Sequence, residues 1–400
     1  MKCSHRPCPL CGGERVMPLA DLEFGDFDAS TFDHRVVLVA CRLCGQAFND
    51  VSLNQEALEQ YYLDEALYAA EMGVGSGGTS PGDQKRYAGA AEVLTPFLPS
   101  KDAAIVDVGC AKGGFLAFLR KLGFTNLAGV DLNQDCVTFV QNTLEIPANV
   151  GTVHQLPYDD CTTTVLVYSH VLEHVDNLRA ALREAWRILQ DDGLLLVEVP
   201  DASRYADYPV FDFYWLSQKE HINHFDAIHL TWLAQAAGFH PLQVGPMLME
   251  MAPGVENPLI YGVFQKRPRP EAAPGPHFDP GLYQELQSYV QAEARRLAPR
   301  RRLLAELAAS GRPAYAWGIG LEFFCLYVQA GLKNCNLRYL VDKNPAKQKQ
   351  TVDGTQIHSP ECFAEAPTES TAILTSAMHG QAMASYLRDI DFQGEVLALA

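Results

Sequence analysis

Three groups of residues in this chain have the types and spacings that chemistry requires. KEHINHF (219–225) sets two histidines and a carboxylate within seven residues. A histidine here suits proton abstraction, since its ordinary pKa lies near working pH. His221 with Glu220 beside it is the pair to consider, while the bland alternative is the polar edge of a helix-to-strand connection. The second group is CPLC (Cys8, Cys11) and CRLC (Cys41, Cys44), two knuckles about 29 residues apart. That spacing fits a tetrahedral four-thiolate zinc site, which would be structural because four thiolates leave no position open for water. Four unligated buried thiols are the alternative, and Cys3 and His5 are spare donors. The third group is VDVGCAKGG (106–114), where Gly109 and Gly113 let the backbone approach a ligand and expose helix N-terminal amides. Asp131 follows Gly109 by 22 residues, where a carboxylate can bind both ribose hydroxyls of an adenosyl ligand. Asp107 is placed to bond the amides of the loop. A plain strand-to-helix turn with a solvated Asp131 is the competing view.

The elements that must position these groups alternate in type. AAIVDVG (103–109), NLAGVDL (126–132), TTVLVYS (163–169) and GLLLVEVP (193–200) read as strands, with helices at 115–123 and around 178–189. Such alternation implies an α/β fold, a mostly parallel sheet with helices on both faces. We expect five segments: a zinc-binding module over 1–55, a helix and flexible Gly/Ser-rich connection over 56–82, and an α/β domain over 83–266. A proline-rich linker (267–280) and a smaller C-terminal α/β domain (281–400) complete them. In the last, AYAWGIG (314–320), LRYLVD (337–342) and AILTSA (372–377) read as strands. Gly318, Gly320 and Asp342 imitate a nucleotide-binding turn, with degenerate Rossmann-like support as the alternative. Trp317, Phe323 and Phe324 read as core.

Composition bounds the function. The 400 residues are 48% hydrophobic, enough for more than one core. A net charge of −17 argues against a nucleic-acid partner. The cluster Arg295, Arg296 and Arg300–Arg302 reads as a solvated helix face. No apolar run reaches membrane-spanning length and no signal-type h-region opens the chain, so the expected address is cytoplasmic. Eleven cysteines then point to metal ligands or buried thiols rather than a disulfide framework.

Taken in order, DVGCAKGG, GVDLN (129–133), QLPY (155–158), HVLEHV (170–175) and ILQDDGLLLVEVPD (188–201) resemble class I S-adenosylmethionine-dependent methyltransferases. The similarity covers roughly 100–265 and implies a Rossmann-like core binding S-adenosylmethionine. Asp107, Gly109, Cys110 and Gly113 would face the methionine part, and Asp131 with Leu132 the ribose. The strand before His170 would border the methyl-transfer site, counting His170 among the cofactor-side residues. Two departures weaken adenine recognition: Thr152 stands where that family often has an acid, and Thr163-Thr164 replace a Phe-Asp pair.

The outer segments sharpen the resemblance. The CxxC start, VDKNPAKQ (341–348) and DGTQIHSP (353–360) are similar to zinc-containing sugar C-methyltransferases of deoxysugar biosynthesis. In that family the segment corresponding to KEHINHF reads Y-H-E-H, and its last histidine is the expected base. By position this is His221, with Glu220 as orienter or second acid/base group and His174 near the acceptor. Tyr61 or Tyr68 matches an N-terminal tyrosine of the acceptor pocket. Gln218 and Lys219 depart from the motif's tyrosine and first histidine, and His224 reads as scaffold. The resemblance implies C-methylation of a nucleotide-linked keto-deoxysugar through an enolate. An O- or N-methyltransferase on a sugar or natural-product intermediate is the nearest rival, and a non-catalytic binding protein on the same fold is the rival from another class. A nicotinamide dehydrogenase is weaker because the loop lacks GxGxxG spacing.

Overall fold

The computed structural model describes residues 6–30, 34–51, 58–61, 78, 80–252, 254–267 and 277–399. Cys3, His5, Tyr68 and linker residues 268–276 lie outside them, and of the expected helix and Gly/Ser-rich connection over 56–82 only 58–61, 78 and 80–82 are described. The chain divides into two units. The first comprises Met1–Leu19, Leu38–Tyr208 and Glu220–Leu286; the second comprises Ala20–Val37, Pro209–Lys219 and Gln287–Ala400.

The first unit is built on seven strands, here β1 (Ile105–Val108), β2 (Leu127–Asp131), β3 (Ala148–Val150), β4 (Thr163–Ser169), β5 (Leu189–Pro200), β6 (Phe239–Ala252) and β7 (Val255–Lys266). Their order is β6-β7-β5-β4-β1-β2-β3. Strands β1 to β5 run parallel, whereas β7 is antiparallel to β5 and β6 to β7. The expected mostly parallel sheet is therefore present, closed on one side by a long antiparallel hairpin.

Both faces of the parallel part are buried, as continuous apolar strands require. Ile105, Val165, Val167, Leu194 and Leu196 pack in one core with Tyr87, Leu94, Phe115, Leu116, Leu119 and Val140 from helices Pro81–Leu94, Gly114–Lys121 and Gln134–Thr143. The alternate residues Val106, Val108, Leu166, Tyr168 and Leu195 are equally buried, and the Tyr168 hydroxyl donates to Ala181 O of helix Leu178–Ile188. Four helices start on a side-chain cap, where Ser80, Asn133, Asn177 and Asp226 accept from amides of the following turn, whereas Gly114–Lys121 starts on Gly113 without one.

Registry lines up the carboxyl ends of the strands. Asp107 sits opposite Gly129, Val108 opposite Tyr168, and Ser169 opposite Glu198. In open α/β sheets this edge is where ligands bind.

The second unit carries a six-stranded sheet ordered Thr351–Val352, Thr355–His358, Leu337–Val341, Ala314–Trp317, Thr371–Leu374, Glu395–Ala398. Its pairings are parallel except that of Thr351–Val352 with Thr355–His358. Trp317, Phe323 and Phe324 are buried in its core, as expected. The arginine cluster is less solvated than its sequence implies: Arg296 and Arg300 both pair with the buried Asp212. No helix among the described residues is long and apolar enough to cross a membrane.

Candidate active site and cysteine centre

The glycine loop opens at the end of β1. Gly109 and Gly113 both hold left-handed backbone, with φ of 74° and 71°. Ala111 also does, at 47°, a conformation that strains a residue with a Cβ. The loop's amides are not organised by Asp107: Gly109 and Cys110 donate to Val130 O, and Ala111 N–H donates to Asp131 Oδ2 at 2.8 Å. Asp131 Oδ1 accepts from Asn133 N at 2.9 Å, so the acid both braces the loop and fixes its own direction. Leu132 is half-buried beside it. The Cys110 side chain is turned inward over Gly129, and burial pushes its thiol pKa well up, which leaves its backbone as the part facing the loop. Burial likewise pushes Asp107 up to about 7, against the opposing pull of Arg86. Thr152 closes a tight turn by accepting from His154 and Gln155 amides.

A second cluster adjoins the loop. A Cβ on Gly109 would meet Val171 at 2.9 Å, and Val171 follows His170. His170, itself at φ 56°, donates from Nδ1 to Glu173 Oε1 at 3.1 Å. His174 donates from Nδ1 to the Glu220 carbonyl at 3.1 Å, and its ring meets that of His221 edge-on, 4.7 Å between centroids. One donor atom each from Glu173, His174 and His221 lies within 4.8 Å of the others. Two imidazoles and a carboxylate in that arrangement could also hold a divalent cation. The predicted residues His170, His174 and His221 are thus brought together. Glu220 joins them through its backbone; the carboxylate among the imidazoles is Glu173, which spacing did not single out.

Electrostatics separates the roles. His221 is buried, and desolvation, reinforced by His174, His170 and His224, drives its pKa well below the ordinary 6.5. It is a neutral imidazole, and its Nδ1 has no hydrogen-bond partner. Burial opposes ionisation of Glu173, but the His170 hydrogen bond and the His174 charge outweigh it and hold the pKa below normal. Glu198 bonds Ser169 Oγ at 2.7 Å and is raised by burial. Besides His221 Nδ1, the buried atoms His170 Nε2, Glu173 Oε2 and Glu198 Oε1 are unpartnered. Four orphaned polar atoms in one place are what a polar acceptor or ordered water would satisfy.

The rest of KEHINHF is scaffold. Lys219 forms an ion pair with Asp26. Asn223–His224 is a two-residue strand paired with Ala47–Phe48, and His224 Nε2 bonds Asn49 Oδ1 at 3.2 Å. Asn223 Nδ2 donates to Leu172 O and Val175 O, tying this strand to the His170–Val175 segment. Tyr61 is half-buried in the short helical stretch at 58–61.

The cysteines converge. Cys8 Sγ lies 3.7 Å from Cys44 Sγ, and Cys11 Sγ 3.5 Å from Cys41 Sγ. Four thiolates at ~2.3 Å from one zinc ion stand nearly 4 Å apart, so the quartet fits zinc closely. The two knuckles repeat one geometry: Gly12 and Gly45 amides donate to Cys8 O and Cys41 O, at φ 75° and 92°. Asp226 Oδ1 orients His229, whose Nε2 donates to Cys44 O at 3.0 Å.

In the second unit the glycine turn differs chemically. Asp342 accepts from Ile319 N and Asn344 N, as Asp131 does from its loop, but Lys347 Nζ also binds it at 3.2 Å. The Lys347 ammonium, which also donates to Ile319 O at 2.6 Å, thus pairs with the Asp342 carboxylate, a partner that Asp131 lacks among the described residues.

Comparison with known proteins agrees with the first unit's geometry. Residues 83–244 match the family model described as "Methyltransferase domain". A Mycobacterium tuberculosis protein named "Probable S-adenosylmethionine-dependent methyltransferase" is 26% identical over 167 residues, 40% of this chain and 57% of its own. An "Uncharacterized 37.1 kDa protein in transposon TN4556" of Streptomyces fradiae is 33% identical over 111 residues, 26% of this chain and 32% of its own. The chain thus spans about half or less of the length of these curated relatives. Among solved structures, geranyl diphosphate C-methyltransferase from Streptomyces coelicolor A3(2) is 16% identical with a TM-score of 0.39, over 53% of this chain and 97% of that one. The central part of the chain is therefore a class I S-adenosylmethionine-dependent methyltransferase domain.

Proposed function

We propose that the protein transfers the methyl group of S-adenosylmethionine to a carbon beside a ketone, on a nucleotide-linked keto-deoxysugar. The observation that carries this reading is His221: a buried, neutral imidazole with a free nitrogen, set among Glu173, His174 and His170 beside the glycine loop. A sulfonium methyl is already electrophilic, so an oxygen or nitrogen acceptor needs little more than alignment. A carbon acid needs a base and a charged support, roles that His221 and Glu173 would fill. His221 takes the α proton and the resulting enolate carbon attacks the methyl carbon. A C–C bond forms as the C–S bond breaks, its electron pair passing to sulfur to leave S-adenosylhomocysteine. His221 then returns the proton to solvent. Zinc on Cys8, Cys11, Cys41 and Cys44 is proposed as structural.

The test is solvent deuterium exchange at the sugar carbon in the presence of S-adenosylhomocysteine. Wild type should exchange and His221→Asn should not; equal exchange removes His221 as the base. Methyl transfer to a hydroxyl or amine, with no exchange in wild type, would favour the O- or N-methyltransferase reading.

A further inference from the structure

Beyond the end of β4, three side chains bring lone-pair donors to one place. One donor atom each from Glu173, His174 and His221 lies within 4.8 Å of the others, and His174 Nε2 is 3.9 Å from Glu173 Oε1. Two ligand atoms at ~2.1 Å from one divalent ion stand about 3.4 Å apart in a tetrahedral arrangement and at most about 4.2 Å apart. The donors therefore need draw in by only about 1 Å to share an ion.

Each donor is oriented from outside the cluster. A backbone carbonyl only accepts, so the 3.1 Å bond to Glu220 O puts the His174 proton on Nδ1 and, in the neutral ring, the lone pair on Nε2. His170 Nδ1 donates to Glu173 Oε1 at 3.1 Å, while Oε2 is buried with no hydrogen-bond partner among the described residues. His221 Nδ1 is buried and unpartnered in the same way. Asn223 Nδ2 clasps Leu172 O and Val175 O, so the turn that carries Glu173 and His174 is fixed to the strand following His221. Imidazole and carboxylate ligands held by such outer bonds are the usual surroundings of a bound metal. Two nitrogens and one oxygen suit zinc, cobalt(II) or nickel(II), and disfavour magnesium and calcium, which seek oxygen shells.

We propose that Glu173, His174 and His221 bind a first-row transition-metal dication, and that its binding switches proton abstraction off. The second half rests on His221 being the base, as read above. A metal on either ring nitrogen of His221 takes that lone pair and leaves the proton on the other nitrogen. The ring then has nothing with which to accept the α proton, so cation and proton abstraction exclude each other. The same ion neutralises the Glu173 carboxylate that would support the imidazolium. This site is separate from the cysteine quartet in its ligand chemistry, holding nitrogen and oxygen but no sulfur.

Cobalt(II), added to the full chain already loaded with one equivalent of zinc, tests both halves. Wild type should take up one further ion per chain by equilibrium dialysis. That ion should show weak visible d–d absorption without the thiolate charge-transfer band that cobalt in the cysteine quartet would give. Glu173→Gln and His174→Phe should each weaken it by more than about 10-fold, the cost that even an outer-shell change carries. Wild-type α-proton exchange should slow about 10-fold at ten times the dissociation constant, and recover when a chelator removes the cobalt. No further ion, or one that both variants hold as tightly as wild type, overturns the site. A further ion lost in the variants that leaves wild-type exchange unchanged overturns the inhibition. Should Glu173→Gln not fold, His174→Phe and the wild-type stoichiometry still decide. A wild type that never exchanges with cobalt absent sinks the base reading and the inhibition with it, while the cobalt count still judges the site.

Discussion

Glu173→Gln isolates the charge that should make His221 a working base. The substitution keeps size and hydrogen-bonding capacity while removing a carboxylate that is 1% exposed. When His221 accepts a proton, an imidazolium forms with donor atoms no more than 4.8 Å from the Glu173 carboxylate. At an effective dielectric near 20 that attraction is ~3 kcal/mol, absent while His221 is neutral and present once it is charged. It therefore stabilises the proton-transfer transition state over the ground state, and its loss should slow exchange by ~10²-fold. Glu220→Gln retains the backbone carbonyl that holds His174 and should cost only a few-fold. The assay is loss of the α-proton NMR signal of a nucleotide-linked keto sugar in deuterated buffer. Melting curves and S-adenosylhomocysteine affinity confirm that each variant is intact. The reasoning fails if Glu173→Gln exchanges at the wild-type rate, or if Glu220→Gln is impaired as deeply.

Three further outcomes follow from the same geometry. His224 is buried with its pKa lowered to about 4 from 6.5. Unfolded, it binds a proton near 6.5, so its share of stability is full above that pH and is lost as pH falls toward 4, ~3 kcal/mol in all. His224→Asn should flatten urea-unfolding stability by about that amount between pH 7 and pH 4, and an unchanged pH slope would contradict it. Gly113→Ala would force an L-residue into φ 71° with its Cβ 2.8 Å from Leu144 Cδ1. That should cost ~2–4 kcal/mol and weaken S-adenosylhomocysteine binding by calorimetry; a fully stable variant with normal binding would refute the strain. Cys41→Ser should reduce zinc, by atomic absorption, from one ion per chain to none and lower the melting temperature. Full zinc retention would point to another ligand set.

Much of the architecture is legible because period and punctuation agree. TTVLVYS is a strand over the residues read, Thr163–Ser169, since its β-branched run has no competing helical pattern. The β6–β7 hairpin was not legible. Pro241, Gly245 and Pro246 interrupt the alternation of β6, and Pro258 and Gly262 that of β7; β6 lies at the sheet edge, where its prolines remove no needed ladder bond. Glu173 was hidden in HVLEHV, where an acid among apolar residues looks like an exposed position. Its histidines at positions 170 and 174 were the available signal that it is paired instead. Conversely, Gly318 with Asp342 carried the same pattern as Gly109 with Asp131. The two are distinguished by Lys347, a residue five positions beyond the acid whose role depends on where its long side chain folds.

The cysteine module is joined to the chemistry by a short chain of contacts. Ala47–Asn49 follows directly on the second knuckle and pairs on one side with Leu38–Ala40, on the other with Asn223–His224. Asn49 N donates to Ile222 O at 2.9 Å, its Nδ2 donates to His221 O at 3.0 Å, and Gln46 Nε2 donates to His224 O at 2.7 Å. Arg6, before the first knuckle, donates to Asn223 Oδ1 at 2.9 Å and to Asp176 O at 3.1 Å. Every residue from His221 to His224 is thereby fixed from the module's side, and none from the glycine loop. The glycine loop and the His221 segment accordingly have separate supports: β1, β2 and Asp131 for the first, the strand that follows the cysteine knuckles for the second. A base held within a fraction of an ångström needs rigid backing, and four sulfurs on one ion would provide it where the local chain, a two-residue strand, cannot.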